Sequence, residues 1–417
     1  MPEQAVTSRS SSTVRLVLRS RLYRRATLSL YFAGLGISIA MPQLSLFLVQ
    51  DLHASLPVAG LFFLTNLAAP ILGFLVGSWS DRLTDRLFLF RIGAVVGLAG
   101  WVLMAFATHV WMAFVVNLTV LGFAGATSSL IFAAVRDQLT HVPTGADNRV
   151  MSTVRLGFSL GFMTGPIVGS VLGGVAGLRV TLIAAGVCTL LQAVPLIGQR
   201  VDRAPVDPAH PAVGSADRAV AGKPSLAPLL TFLGLSVLAM CGDTIKFAYL
   251  PIYMELQLGT PDWLRGVVIA AQSVGMLIFI PIMGVLADRF GAHRLVIVNV
   301  LLGVAANIGF MIAGNEVVLI VSTMLNAAMW ATLGGIGITV AQDLYPTGIG
   351  LASSLYFSAI RFAAAIGGIA GALGVRWFGV PGVFAVPAAL CLLAAAGLLV
   401  QEVVRQRDET RRRALLD

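Results

Sequence analysis

The sequence predicts an all-α integral membrane protein with twelve transmembrane helices arranged in two pseudo-symmetric six-helix bundles. Three observations lead to this fold class. Of the 417 residues, 57% are hydrophobic and only 11% are charged, whereas soluble domains average roughly 25% charged residues. The apolar residues gather into long stretches, and landmarks of the first half return in the second. So few charges cannot cover a water-soluble surface, which excludes an ordinary soluble enzyme.

Twelve apolar stretches are long enough to be spans, since a helix needs roughly 20 apolar residues to cross the hydrocarbon core. Spans 1 to 12 are expected at about 27–50, 57–80, 87–107, 110–135, 150–174, 178–198, 226–256, 263–287, 294–313, 316–342, 349–375 and 380–401. Their length and their content of Gly, Ala and Leu favour helices over the strands of roughly ten residues that build membrane barrels.

The basic residues predict the orientation of the chain. Of the 28 Lys and Arg, 23 fall before span 1, in or next to alternate loops on one side, or after span 12. Cytoplasmic segments carry an excess of Lys and Arg, so we expect both termini in the cytoplasm. The net charge of +9 is then a topology signal. It predicts no nucleic-acid partner, because no basic stripe with interleaved aromatic residues appears.

Polar segments divide the chain into domains. We expect a cytoplasmic arm at 1–26 rather than a signal peptide, and six-helix bundles at 27–198 and 226–401. Residues 199–225 are rich in Pro, Ala, Asp and Arg without periodicity, which predicts a flexible cytoplasmic linker. Residues 402–417 are expected to form a cytoplasmic tail.

The two bundles look like repeats, because glycine, charge and amide landmarks recur 206 or 207 residues apart. The matched residues are Gly77 and Gly284, Asp81 and Asp288, Arg82 and Arg289, Asp137 and Asp343, Arg155 and Arg361, Gly161 and Gly367, Gly165 and Gly371, and Asn66 and Gln272. Two parallel six-helix halves with a site near their pseudo-two-fold axis are a transporter architecture.

At this point the sequence resembles the major facilitator superfamily. The pattern Gly-x-x-x-Asp-Arg at 77–82 and 284–289 matches the signature of that superfamily, although Thr84 stands where a second glycine is usual and Gly291 keeps it. The segment "GFMTGPIVGS" at 161–170 is similar to the Gly-Pro motif of proton-coupled exporters.

A narrower resemblance covers nearly the whole chain and points to the bacterial sugar efflux transporter family. It is carried by "MPQLSLFL" at 41–48, "GLFFLTNLAAP" at 60–70, "SDR" at 80–82, "ADNRVMSTVR" at 146–155 and "QDLYPTGIGLASSLY" at 342–356. The resemblance implies export of sugars or glycosides by alternating access in the bacterial inner membrane. We expect proton antiport, protons and membrane lipid as partners, no cofactor, and a monomer.

Asp243 and Lys246 are charged residues well inside span 7. A lone charge near the bilayer centre costs several kcal/mol, and the i, i+3 spacing places both on one helix face where they can pair. One hypothesis is a cavity-facing pair in which Asp243 binds a proton or a substrate hydroxyl. The other is a structural ion pair to a neighbouring helix.

A second set of charges and glycines lies near the predicted cytoplasmic ends of the spans. The set is Gly77, Asp81, Arg82, Asp137, Arg155, Gly284, Asp288, Arg289, Asp343 and Arg361. The resemblance implies a cytoplasmic gate whose strength biases the populations of the two access states. Alternatively these residues only mark topology or steady a tight loop, and Arg155 and Arg361 could reach deeper and contact substrate.

Polar and aromatic residues inside apolar spans are candidates for a sugar-binding cavity. They are Gln43, Asn66, Asn117, Tyr249, Tyr253, Gln272, Asn326, Trp330 and Tyr356. Amides and aromatic faces are suited to sugar hydroxyls and ring CH groups. For any one of them, an interhelical hydrogen bond worth roughly 0.6 kcal/mol is the alternative role.

In span 5, Gly161, Gly165 and Gly169 follow a four-residue repeat, which lets two helix backbones approach closely. Pro166 removes one helix hydrogen bond and permits bending. We interpret this motif as packing rather than chemistry.

Other functions find little support in the sequence. The three Cys and five His show no metal spacing, and no Walker-type phosphate loop appears, so we expect neither an enzyme nor an ATP-driven pump. A multidrug or small-metabolite proton antiporter of the same fold remains the main alternative to a sugar exporter. A sensor would normally carry a larger soluble domain.

Overall fold

The computed structural model describes residues 20–83, 85–141, 147–199 and 225–414. Most of the predicted arm and linker, the last three residues of the tail, and Thr84 lie outside the described residues. In the described part the chain is helical almost throughout.

The described residues contain twelve helices that are long and apolar enough to cross a membrane, as predicted. Helices α1 to α12 are Arg21–Gln50, Leu56–Ser80, Leu87–Ala105, Val110–Thr140, Arg149–Ala176, Leu178–Leu196, Ala227–Leu256, Asp262–Phe290, Ala292–Ile312, Glu316–Leu344, Pro346–Gly382 and Ala385–Arg407.

Two helix boundaries differ clearly from the sequence prediction. Helix α1 begins at Arg21 rather than near residue 27, because the Ser20 hydroxyl caps it by accepting from the Tyr23 N–H, and the basic first turn hides this start from a hydropathy criterion. Gly379 and Val380 have non-helical φ and ψ angles, so the regular part of α11 ends just before them, near the expected end of span 11. Helix α12 itself runs on as far as Ala414.

The helices form two compact units. Of the described residues, unit 1 contains 20–54, 65–199 and 261–270, and unit 2 contains 55–64, 225–260 and 271–414. Each unit is thus one six-helix half that also includes one short segment from the other half of the sequence.

The same helix pairs pack in both units. In unit 1, α1 packs against α5 and α6, and α3 packs against α4 and α6. In unit 2, α7 packs against α11 and α12, and α9 packs against α10 and α12. Each pair in unit 2 is the pair of unit 1 moved on by six helices, which is the packing expected from the internal repeat.

Glycines bring the first and fifth helix of each unit into backbone contact. A Cβ on Gly161 of α5 would overlap the carbonyl of Tyr31, and a Cβ on Gly34 of α1 would overlap that of Phe158. In unit 2, a Cβ on Gly367 of α11 would overlap the carbonyl of Cys241 on α7. We call the contact between α1 and α5 and the contact between α7 and α11 the glycine seams.

Two helices leave α geometry near candidate polar residues. Helix α2 contains a 3-10 segment at Phe62–Leu67, and α4 contains a π-helical turn at Asn117–Leu121. π turns within α-helices are frequent at functional sites. Within unit 1, Asn117 Nδ2 donates to Thr65 Oγ1 at 2.6 Å, so these two irregular segments are tied together.

Each of the two short segments packs within the unit to which it belongs. In unit 2, the first turns of α2, Leu56–Leu61, lie against α11 and α7. In unit 1, the start of α8 lies against α5, where a Cβ on Gly266 would overlap the backbone of Ile167. A glycine therefore permits the close approach of α8 to α5.

Candidate functional site: a buried polar cluster on α7, α8 and α10

Asp243 and Lys246 pair within unit 2, as their spacing predicted. Lys246 Nζ lies 2.6 Å from Asp243 Oδ1. The lysine side chain is 2% exposed and the aspartate side chain 22% exposed. The pair therefore offers a partly accessible carboxylate held by an ammonium group that water hardly reaches.

Two amides extend the pair across neighbouring helices. Gln272 Nε2 on α8 donates to Asp243 Oδ1 at 3.1 Å. Asn326 Nδ2 on α10 donates to Gln272 Oε1 at 3.4 Å. Both amides are buried. These four side chains form the chain Lys246, Asp243, Gln272, Asn326, which we call the polar cluster.

The electrostatics of the polar cluster centre on Asp243 Oδ1, which accepts from both Lys246 and Gln272. The Lys246 ammonium also lies 4.4 Å from the centroid of the Phe247 ring, a cation–π contact that helps to stabilise a desolvated charge. The second carboxylate oxygen, Oδ2, has no hydrogen-bond partner among the described residues. It is available to a proton or to a hydroxyl donor.

Trp330 lies one helical turn after Asn326 on α10. It is half-buried, and its indole Nε1 is a buried donor that has no acceptor within the described structure. A buried indole N–H usually finds a partner. Trp330 therefore has a donor without an acceptor and an aromatic face, both one helical turn from Asn326 of the polar cluster.

In unit 1, candidate cavity residues make only neutral contacts. Asn117 bonds to Thr65, and the buried Gln43 Nε2 donates to Ser170 Oγ at 3.0 Å. Asn66 is half-buried beside Thr65 in the 3-10 segment of α2. Unit 1 therefore presents amides and hydroxyls, and α1 has no charged residue between Arg25 and Asp51.

The three candidate tyrosines are packing residues in this structure. Tyr249 donates to the carbonyl of Leu56 at 3.2 Å, and Tyr253 donates to that of Ala313. Tyr356 is 1% exposed in the core of unit 2 and donates to the carbonyl of Leu333 at 2.5 Å. These contacts are the interhelical hydrogen bonds that the sequence left as the alternative.

The residues of the expected gate lie mostly at exposed helix ends. Asp81 caps the C-terminus of α2, Arg155 lies in the second turn of α5, and Arg361 lies near the middle of α11. Of the eight charges, only Asp137 is half-buried rather than exposed. A Cβ on Gly77 or Gly284 would meet open space, so packing in this structure does not require glycine there.

The helix 5 motif packs against α1, as we interpreted it. Gly161, Gly165 and Gly169 each lie where a Cβ would overlap an atom of α1. Pro166 lies inside α5. A Cβ on Gly266 of α8 would overlap the Pro166 carbonyl oxygen.

Sequence reasoning missed several charged contacts, among them those of Arg179 and Glu402. Arg179 was counted only as a loop cation, yet its Nε lies 3.0 Å from Asp51 Oδ2 and its Nη1 donates to the carbonyl of Ala105. Glu402, assigned to the tail, is buried among His293, Arg294 and Arg405. For Glu402 and Arg405 the signal was the i, i+3 spacing; the other contacts are long-range.

Twelve apolar helices, a repeated packing pattern and a desolvated polar cluster within one repeat define a multi-pass membrane transporter. Among the described residues, no three His, Cys, Asp or Glu side chains converge in a way that could hold a metal ion.

Comparison with known proteins assigns the particular family. The sequence profile of the Major Facilitator Superfamily matches residues 26–266 and, in a second match, residues 232–415. The chain belongs to this superfamily. It is a transporter rather than an enzyme, and a multi-pass protein of the bacterial inner membrane.

Relatives and solved structures agree with this assignment. Sugar efflux transporter B of Salmonella typhimurium is 26% identical over 363 residues, covering 84% of this chain and 89% of that protein. Sugar efflux transporter A of Escherichia coli is 25% identical over 393 residues, covering 92% and 96%. The crystal structure of the nucleoside transporter NupG has the same fold, with a TM-score of 0.73 at 15% identity over 91% of this chain and 98% of that one.

Proposed function

We propose that the protein exports sugars or sugar-like small molecules by alternating access, as a proton antiporter, with Asp243 as the coupling group. The observation that carries the proposal is the polar cluster, in which a buried lysine and the Gln272 amide both donate to the Asp243 carboxylate and Asn326 in turn donates to Gln272. The similarity to sugar efflux transporters supports sugars as the substrate class.

The coupling follows from competition for one carboxylate. A proton that binds Asp243 neutralises its carboxylate, which is the counterion of Lys246. A sugar hydroxyl can instead donate to Oδ2, while the Trp330 N–H can donate to another sugar oxygen. Because proton and sugar both engage the Asp243 carboxylate, binding of one favours release of the other, which is the requirement for antiport.

Alternating access needs contacts that break and re-form. The exposed charges of the gate set are candidates at one end of the helices. The packing of Leu56–Leu61 on α11 and of α8 on α5 supplies candidates elsewhere. The excess of basic residues supports placing both termini in the cytoplasm, and we propose a monomer.

The test is uptake into inside-out vesicles with a panel of labelled mono- and disaccharides, with and without an imposed gradient that is acidic inside. Wild-type protein should accumulate at least one sugar, and only with the gradient. Asp243→Asn should abolish this accumulation, because the amide cannot exchange a proton with the gradient.

Two further variants make the result interpretable. Asp51→Asn removes a carboxylate from an ion pair outside the polar cluster and should keep gradient-driven uptake. Asp243→Asn combined with Lys246→Met removes both charges, avoids a buried unpaired lysine, and should still fail to couple. Normal uptake by the Asp243 variants would disprove the coupling role, and accumulation of cationic drugs without sugars would favour the multidrug alternative.

A further inference from the structure

We propose that unit 2 binds the headgroup of an anionic phospholipid in a basic cavity at the ends of α8, α9 and α12, with one acyl chain in an adjoining apolar cavity. The basic cavity has a volume of about 390 Å³. Its lining includes His293, Arg294, Asp343, Glu402 and Arg405. It is separate from the polar cluster proposed to couple transport.

Two guanidinium groups lie beside Glu402 in the described part of the cavity. This buried carboxylate has Arg405 at 3.2 Å, Arg294 at 3.7 Å and the imidazole of His293 at 3.9 Å. Each guanidinium carries five N–H donors, and the carboxylate has only two oxygens. The arginine side chains are 65% and 43% exposed for Arg294 and Arg405 respectively, so they can turn donors toward a ligand.

His293 gives an independent indication of a ligand. The residue is 5% exposed and lines the cavity, and its ring nitrogens make only loose contacts, with the Leu398 backbone and with Glu402 at 3.9 Å, among the described residues. A buried polar group without a close hydrogen-bond partner is costly. The first N–H groups of α9, which begins at Ala292, also lack intrahelical acceptors and favour an anion. A phosphate oxygen in the cavity would satisfy both.

An apolar cavity of about 590 Å³ shares Arg405 with the basic cavity. Its lining includes Pro228 and Thr231 from α7, Leu344 from α10, and Val400 and Val404 from α12. A basic cavity that adjoins an apolar one matches a ligand with a charged head and a hydrocarbon chain, rather than a free anion.

The position of Arg405 along α12 is the one expected for contact with a lipid headgroup. Arg405 follows Ala385 by about 20 residues, so it stands ~30 Å along the helix, which equals the thickness of the hydrocarbon core. If α12 starts at one face of that core, Arg405 reaches the headgroup layer of the other. Basic pockets between helices at this depth are suited to anionic headgroups.

Asp343, the second acidic residue in the lining of the basic cavity, restricts which headgroups fit there. Asp343 lines the same cavity and is exposed. Its carboxylate would repel a bare phosphate but can accept from a hydroxyl. A phosphodiester with a hydroxylated headgroup, such as phosphatidylglycerol, engages the arginines through phosphate and Asp343 through its glycerol.

The test is lipid binding by the full-length purified protein, measured by native mass spectrometry and by thermal unfolding. Phosphatidylglycerol should bind and raise the unfolding midpoint, whereas phosphatidylcholine and inorganic phosphate should not. Arg294→Gln should weaken phosphatidylglycerol binding about fivefold, the effect of one basic contact near a membrane surface. Thr231→Trp fills the apolar cavity from an exposed position and should weaken it at least as much.

Matched controls separate the site from general lipid affinity. Arg24→Gln removes an exposed arginine from a helix start in unit 1, and Val298→Trp adds a tryptophan at an exposed position of α9 outside both cavities. Both should bind phosphatidylglycerol within twofold of wild type. Equal binding by all four variants would overturn the proposal. So would tight binding of inorganic phosphate that Thr231→Trp does not change, since it would indicate a free-anion site.

Discussion

The two units share one packing plan but differ in charge. In unit 1, α2 and α4 are joined by the neutral pair Thr65 and Asn117. In unit 2, α8 and α10 are joined in a similar way by Gln272 and Asn326. Among the residues that the structure describes, only unit 2 has a third helix, α7, that brings an ion pair to this junction.

The difference suggests that the two units share a scaffold but contribute differently to transport. The four helix pairs described above and the glycine seams recur in both units, so they belong to the scaffold that the two units share. Among the described residues the Asp243–Lys246 pair lies at this junction in unit 2, where the proposed function assigns it the coupling role. We therefore expect changes to the seams to act alike in both units, and changes to the junctions to act differently.

The largest effect is expected from unbalancing the ion pair. Asp243→Asn leaves Lys246 buried without its counterion, and breaking a buried pair in this way typically costs about 3–5 kcal/mol. Lys246→Met should cost less, because Asp243 is partly exposed and keeps Gln272. Thermal unfolding of the purified protein measures both variants.

The double variant Asp243→Asn with Lys246→Met decides whether the charge imbalance is the cause. It should recover most of the lost stability, because it removes both charges together. If the double variant is as unstable as Asp243→Asn alone, the loss comes from packing or from the bond to Gln272.

An intermediate and symmetric effect is expected at the glycine seams. Gly161→Ala and Gly367→Ala each place a methyl group against a backbone carbonyl, and overpacking of this kind costs about 1–3 kcal/mol. Gly77→Ala is the matched control, since its methyl group would meet open space. A stable Gly161→Ala with an unstable Gly367→Ala would show that the seams are not equivalent.

The smallest effect on stability, but the sharpest on function, is expected at the equivalent residues Asn66 and Gln272. Either change to Ala removes at most interhelical hydrogen bonds worth roughly 0.6 kcal/mol each. Gln272→Ala also removes a donor to Asp243, so it should shift the pH profile of transport. Asn66→Ala should change KM without that shift. Identical pH profiles for the two variants would argue against Asp243 as the coupling group.

The sequence predicted the architecture well, because hydropathy and helix length suffice to locate most of the helices. It failed where other forces decide. The capped, basic start of α1 is too polar to register as apolar, and so is the polar end of α12, which continues to Ala414.

The site was predicted in pieces. The i, i+3 spacing was enough to predict that Asp243 and Lys246 pair. Gln272 and Asn326 were candidates on their own, but their connection to Asp243 joins three helices and depends on how those helices pack. The position of His293 beside Glu402 depends on long-range packing in the same way, since no short spacing links the two residues.

The glycine seams also have a consequence for the order of assembly. The seam residues Gly34 and Phe158 are about 120 residues apart, as are Cys241 and Gly367 in the second half. At ~5–20 residues per second, the first helix of each half waits about 6–24 s in the membrane before its partner is made. During that interval its exposed backbone faces lipid or the insertion machinery, and each bundle can close only after its fifth helix arrives.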